Sequence, residues 1–115
     1  MSIRDELLGL VSQPARLEPV HFFGKSVFVR EMTGAERDAF EAAQVEAGKD
    51  GKALVNFRAR LLVQVLVDET GARIFTDADA AEIGKLPARG LSKPFDVASK
   101  VNSLTPEDER ELGKK

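Results

Sequence analysis

A chain of 115 residues, 43% hydrophobic and 31% charged, is long enough for one folded domain with a single modest core. The formal net charge of −2 gives no excess of Lys and Arg to neutralise phosphates, which disfavours nucleic acid as a partner. The sequence has no cysteine, which excludes disulfides, thiol catalysis and thiolate metal sites.

The first segment of the chain predicts a short helix over residues 1–12. Ser2 followed by Asp5 resembles a capping box, and Pro14 ends the helix. Four apolar residues then share one helical face: Ile3, Leu7, Leu10 and Val11. We expect this face to dock on the core, and the alternative is a free arm that binds a partner. Acidic residues precede the apolar run where a signal peptide would be basic, which predicts a cytoplasmic location.

Two β-rich runs over residues 17–32 predict a β-hairpin with Gly24-Lys25 as a type II′ turn. In that register two apolar pairs lie on one side of the hairpin, namely Phe22 with Val27 and Val20 with Val29. The other side carries four residues that form the candidate partner-binding site: His21, Phe23, Phe28 and Arg30. A face in water does not need phenylalanines, so this face is either enclosed within the fold or meets a partner.

A helical bundle is expected over residues 33–104, beginning with a helix over residues 34–47. Thr33 and Glu36 form its capping box. Its inner face is thin and rich in alanine: Phe40, Ala43 and Ala47. A glycine-containing turn over residues 48–52 then reverses the chain and makes a helical hairpin with the next segment.

The most apolar segment, residues 53–67, predicts a central helix around which the rest of the bundle packs. Three of its few polar residues fall four apart and form one stripe, Asn56, Arg60 and Gln64, and Arg58 is the one exception. The apolar remainder is either entirely core, or part of it forms a groove beside the preceding helix for an amphipathic segment of another protein. The segment is too short to cross a membrane and contains two arginines.

The last third of the chain predicts a turn and two further helices. The turn covers residues 68–71, and Thr76 caps a helix over residues 76–86 that has acidic residues in its first turn. Pro94 predicts a break near Ser92 and a new helix over residues 94–104. Residues 105–115 predict a frayed tail. Together the elements predict one domain over residues 1–115 of the α+β class, mainly α.

Residues able to carry out chemistry are few. His21 is the single histidine and has no accompanying nucleophile and orienting group, which favours a structural or surface role. Four acids near the turn do not have the spacing of a calcium loop: Asp68, Glu69, Asp77 and Asp79. Helix capping explains the last two. We therefore predict no catalytic residue, no metal site and no cofactor, and a protein that is not an enzyme.

The second half of the chain, residues 58–104, resembles the tail assembly chaperones of long-tailed, siphovirus-type bacteriophages. The resemblance rests on these segments: Leu61-Leu62-Val63-Gln64-Val65-Leu66-Val67, Asp68-Glu69-Thr70-Gly71, Ile74-Phe75-Thr76-Asp77 with Asp79, Ile83-Gly84, and Phe95-Asp96-Val97-Ala98 with Asn102 and Leu104. These are turn and cap motifs rather than catalytic signatures.

The resemblance implies a non-enzymatic role in the host bacterial cytoplasm, from a gene that is expected to be borne by a prophage. Such chaperones coat the tape measure protein, keep it soluble, recruit tail tube subunits and leave before the virion is complete. The resemblance also leaves open whether the chain associates with itself. The alternative is a small bacterial adaptor or regulatory protein that binds a folded partner.

Overall fold

Three antiparallel strands and five α-helices make up the part of the chain that the structure, a computed structural model, describes, residues 2–102. The strands are β1 (Leu17–Phe22), β2 (Lys25–Arg30) and β3 (Leu66–Val67), in the order β1-β2-β3. The helices are α1 (Ile3–Leu8), α2 (Gly34–Lys49), α3 (Phe57–Val65), α4 (Ala80–Ile83) and α5 (Ala88–Val101), with 3₁₀ helices at Gly9–Ser12 and Asp77–Asp79. The predicted class, a hairpin followed by helices, is confirmed. The tail predicted over residues 105–115 lies outside the described residues.

The hairpin is confirmed, but its predicted turn at Gly24-Lys25 is wrong. The turn residues are Phe23 and Gly24, with φ of 51° and 82°, so both have the positive φ of a type I′ turn. Val20 consequently pairs with Val27 rather than with Val29. The register moves by two residues, and because side chains alternate with a period of two, the predicted inner face is kept.

The predicted central helix over residues 53–67 is shorter than expected at both ends. Asn56 has a left-handed backbone, with φ of 54°, so α3 begins only at Phe57. At the other end Leu66 and Val67 form β3, which pairs with Val29 and Phe28 of β2. Hydrogen bonding to the free edge of β2 satisfies the backbone there, and this edge exists only in the folded hairpin.

The core surrounds α3, as expected for the most apolar segment. Six of the nine residues of this helix are buried: Phe57, Ala59, Leu61, Leu62, Val63 and Val65. Helix α5 packs against it, with the rings of Phe57 and Phe95 5.8 Å apart and edge-to-face. The inner hairpin face closes the core through Val20, Phe22 and Val29. The apolar surface of α3 is therefore core, and the turn before it carries the exposed Leu54 and Val55.

Helix α5 runs through Pro94 without the predicted break near Ser92. Proline inside a helix costs about 3 kcal/mol because it removes one backbone hydrogen bond and crowds the preceding turn. Here the proline ring is fully buried, as part of an apolar face that also includes Leu91, Phe95, Ala98 and Val101. Burial of that face, at about 1.5–3 kcal/mol per large side chain, outweighs the cost.

Helix α2 has its predicted capping box and a different inner face. The Thr33 hydroxyl accepts from the Glu36 N–H, and the Glu36 carboxylate accepts from the Thr33 N–H. The buried residues are Phe40, Gln44 and Gly48, spaced four apart, while Ala43 is exposed and Ala47 is half-buried. Gln44 is inside because its Nε2 donates to the Ala53 carbonyl, 2.8 Å away, in the following turn.

Residues 2–12 do not dock on the core, so the expected docking is wrong. Ser2 caps α1 as predicted, with its hydroxyl accepting from the Asp5 N–H. None of the side chains of α1 or of the 3₁₀ helix that follows is buried. Pro14 lies in the short irregular segment between the 3₁₀ helix and β1. We call residues 3–12 the N-terminal arm. Within residues 2–102 no helix is long and apolar enough to cross a membrane.

Candidate protein-binding surface

The four residues predicted to bind a partner do not form one patch. His21 and Phe28 lie on the outer face of the sheet, His21 exposed and Phe28 half-buried. Phe28 is paired with Val67 of β3, a strand that sequence reasoning missed. The extra strand widens the sheet beside Phe28, and the half-buried ring offers a partner less surface than a fully exposed one would.

Phe23 points toward the opposite side of the hairpin. Its position in the turn brings its ring 5.0 Å from the ring of Phe22, edge-to-face, and over the first turn of α5 at Gly90. A Cβ on Gly90 would lie 2.4 Å from the Phe23 ring, so the close approach depends on glycine at that position. Phe23 is nevertheless 45% exposed. It therefore presents an apolar surface at the tip of the hairpin.

Arg30 is buried and makes its contacts within the chain. Its Nε and Nη2 donate to the Gln64 carbonyl at 3.0 and 2.7 Å, and its Nη1 donates to the Glu36 carboxylate at 2.5 Å. One guanidinium thus joins β2, the end of α3 and the start of α2. Its charge is fully engaged inside the protein, so we omit Arg30 from the binding surface.

A second arginine, Arg73, serves the same helix end and was not singled out from the sequence. Its Nε and Nη2 donate to the Val63 carbonyl at 3.1 and 2.6 Å, and it also pairs with Asp77. Helix α3 runs directly into a strand and lacks the glycine cap that commonly satisfies terminal carbonyls. Two guanidinium groups take that place, and positive charge at this end is favoured by the helix dipole.

The motifs that carried the family resemblance are structural in this fold. The Asp68 carboxylate accepts from the Thr70 N–H, the Thr70 hydroxyl and the Ala72 N–H, which closes the turn after β3. The side-chain hydrogen bonds from Thr70 and those from the backbone hold the pKa of Asp68 below its usual value. The Asp79 carboxylate accepts from the Thr76 N–H and hydroxyl, which caps the Asp77–Asp79 3₁₀ helix. The helix predicted over residues 76–86 is therefore shorter than expected and consists of that 3₁₀ helix and α4.

Asn102, the last described residue, joins the end of α5 to the hairpin. Its Oδ1 accepts from the Met32 N–H at 2.7 Å, and its Nδ2 donates to the carbonyls of Arg30 and Ala98. The side chain is buried, and every one of these bonds is internal. Within residues 2–102 no group of three or more His, Cys, Asp or Glu side chains is placed to hold a metal ion.

Exposed apolar groups are concentrated in two places besides the hairpin tip. The N-terminal arm carries five large apolar side chains that are 52% to 83% exposed: Ile3, Leu7, Leu8, Leu10 and Val11. The turn before α3 carries Leu54 and Val55. Beside Val55 lies an open groove of about 420 Å³ between the end of α2, α3 and α4, and alanines line much of it.

Exposed apolar side chains on so small an α+β domain are typical of domains that bind other proteins. The chain belongs to the phage tail assembly chaperone family, whose model matches residues 21–115. The match includes the hairpin from His21 onward and all of the helices after it, and it leaves out the N-terminal arm. Comparisons with curated proteins and with solved structures find no match.

Proposed function

We propose that this chaperone binds the tape measure protein of its phage, keeps it soluble during tail assembly and helps to recruit tail tube subunits. Membership of the tail assembly chaperone family carries the proposal. A tape measure protein is long and helical, and a chaperone that keeps it soluble needs exposed apolar surface with which to contact it. We further propose that it acts in the host cytoplasm and is absent from the finished virion.

The proposed contact surface has two parts: Phe23 at the hairpin tip, and His21 with the half-buried Phe28 on the outer face. Phe23 is the main apolar contributor because nearly half of its surface is exposed. His21 is exposed on the outer face, the face that also carries Phe28, and its ring can hydrogen-bond to a partner there.

Co-expression with the tape measure protein tests the proposal. We expect the wild-type chain to move the tape measure protein from the insoluble to the soluble fraction, and Phe23→Ser and Phe28→Ser to reduce that soluble fraction several-fold. Val45→Ser is the matched control, since Val45 on α2 is also 45% exposed but lies away from the hairpin.

Two results separate the parts of the proposal. If wild type does not solubilise the tape measure protein, the proposed function is wrong. If wild type does so and the Phe23→Ser variant is equally active, the function stands and the hairpin surface is wrong. Circular dichroism of each variant distinguishes lost binding from lost folding, because Phe28 is half-buried and its loss affects the sheet.

A further inference from the structure

The exposed face of α5 carries several bases that form no ion pair. Within residues 2–102, seven of the fourteen Lys and Arg side chains form an ion pair with Asp or Glu. Of the other seven, three lie on α5, and a fourth, Arg58, lies against that helix with its guanidinium 5.4 Å from the centre of the Phe95 ring. The three α5 residues are all exposed: Arg89, Lys93 and Lys100. Unpaired positive charge is therefore concentrated at one helix of a chain whose net charge is −2.

The three bases follow one stripe along α5, because residues three or four apart share a side of a helix. The stripe runs from Arg89 through Lys93 and Asp96 to Lys100 and rises about 16 Å at about 1.5 Å per residue. The energetics of an isolated helix do not favour this arrangement. Arg89 lies in the first turn, where the helix dipole favours acids, and a like charge lies four residues further on. An anion bound to the stripe would relieve both repulsions.

Phe23 adjoins the first turn of this stripe. Its ring lies over Gly90, which follows Arg89 in the chain and precedes Lys93 by three residues, so the ring and the two bases occupy neighbouring parts of the surface. The ring is 45% exposed, although its inner side packs closely on the helix. One end of α5 therefore presents an apolar group beside two cations.

We propose that the stripe and Phe23 bind an acidic amphipathic helix of the tape measure protein, an inference that rests on the proposed function and names the kind of segment that is bound. An apolar side chain of that helix packs on Phe23, and carboxylates one turn apart pair with the bases of α5. Hydrogen bonds between such charged groups are shorter and stronger than those between neutral groups. The charges also select the partner, because a basic helix would be repelled.

Nucleic acid is the other polyanion that exposed bases attract. The stripe suits it less well, because Asp96 lies among the bases and would face the phosphates. Three bases also release few counterions, and counterion release supplies most of the affinity for nucleic acid. A helix with separate carboxylates can instead place its acids opposite the bases and a neutral or basic residue opposite Asp96.

Charge reversal in the co-expression assay tests the inference. Arg89→Glu and Lys93→Glu should each reduce the soluble fraction of the tape measure protein several-fold, whereas Lys93→Arg keeps the charge and should keep the activity. Lys52→Glu is the matched control and should have little effect, since Lys52 is also exposed but lies in the turn before α3. Arg89→Glu puts an acid in the first turn of α5, which favours the helix, so circular dichroism should show that this variant stays folded.

Overlapping peptides that cover the tape measure protein identify the bound segment. The wild-type chain should bind acidic peptides. Binding should weaken at least about five-fold when NaCl is raised from about 0.05 M to about 0.5 M, because salt screens exposed charges.

The outcomes separate this inference from the proposed function. If wild type fails to solubilise the tape measure protein, the function is wrong and the inference falls with it. If wild type solubilises it, the function stands, and any of three results overturns the inference. The charge reversals act no more strongly than Lys52→Glu, the bound peptides carry no excess of acids, or duplex DNA displaces them, which would assign the stripe to nucleic acid.

Discussion

Arg30 is a single residue whose hydrogen bonds link three elements of the fold, β2, α2 and α3. Its side chain is 10% exposed, and the guanidinium donates to the end of α3 and to a carboxylate at the start of α2. Removing one partner from a buried hydrogen-bonded set leaves the other groups unsatisfied, which costs more than the bond itself contributes. The residue is therefore structural, although its place on the outer hairpin face made it a candidate contact in the sequence.

We predict that Arg30→Ala lowers the free energy of unfolding by about 2 kcal/mol, because the Gln64 carbonyl then loses both of its guanidinium donors. Urea denaturation measures the change. Arg4→Ala is the control. Arg4 forms a solvent-exposed ion pair with Asp5 at 3.9 Å, so its loss should change the free energy of unfolding by less than about 0.5 kcal/mol. Equal effects of the two substitutions would mean that the Arg30 contacts do not stabilise the fold.

At the scale of elements, the N-terminus of α2 is held to the sheet through an ionised carboxylate. Partial burial opposes ionisation of Glu36, but hydrogen bonds from Thr33 and Arg30 and the Arg30 charge outweigh it, so the pKa of Glu36 lies below its usual value. A carboxyl whose pKa is lower in the folded state stabilises the fold above its unfolded pKa, about 4.3. That stabilisation is lost as the pH falls through the folded value.

We therefore predict that the melting temperature is nearly constant from about pH 7 to pH 5 and falls below about pH 4. Glu36→Gln should lower the melting temperature at pH 7 and make the decline on acidification shallower, because one group that takes up a proton on unfolding is gone. Asp68, whose pKa is also lowered, should keep part of the decline in that variant. A pH profile identical in slope to that of wild type would contradict a role for Glu36 ionisation.

For the molecule as a whole, stability rests on the core around α3, and the exposed apolar residues contribute little to it. Leu61 is fully buried in that helix, while Leu54, the same residue type only seven positions earlier, is 68% exposed. Replacing either leucine with alanine removes the same atoms, so a difference in stability between the two variants reports the difference in burial. Because the hairpin tip and the N-terminal arm lie outside this core, their apolar side chains are available for partners without weakening it.

Leu61→Ala is expected to lower the free energy of unfolding by about 2–5 kcal/mol through lost burial and a residual cavity. Leu54→Ala should change it by less than about 0.5 kcal/mol. Denaturant titration of both variants gives the comparison. Similar losses for the two would show that the turn before α3 belongs to the core.

The sequence by itself determined the elements whose signals are local. The capping box of Thr33 and Glu36, the alternation of Val20 and Phe22 and the apolar run of α3 each depend on neighbours within a few residues, and all are found in the fold. The turn and cap motifs after Val67 also sufficed to indicate the family. These features follow from chain geometry and solvent exclusion, which act whatever the rest of the fold does.

Tertiary structure alone decided where distant segments meet. Leu66 and Val67 became a strand because β2 offers an open edge, and α5 continued through Pro94 because its apolar face is buried on α3. Phe23, which has a positive φ, packs against its neighbour Phe22 and against Gly90, which lies far along the chain. The N-terminal arm was predicted to dock because its pattern is amphipathic, but the same pattern suits an intermolecular contact. Periodicity identifies an apolar face, and only the three-dimensional arrangement decides what covers it.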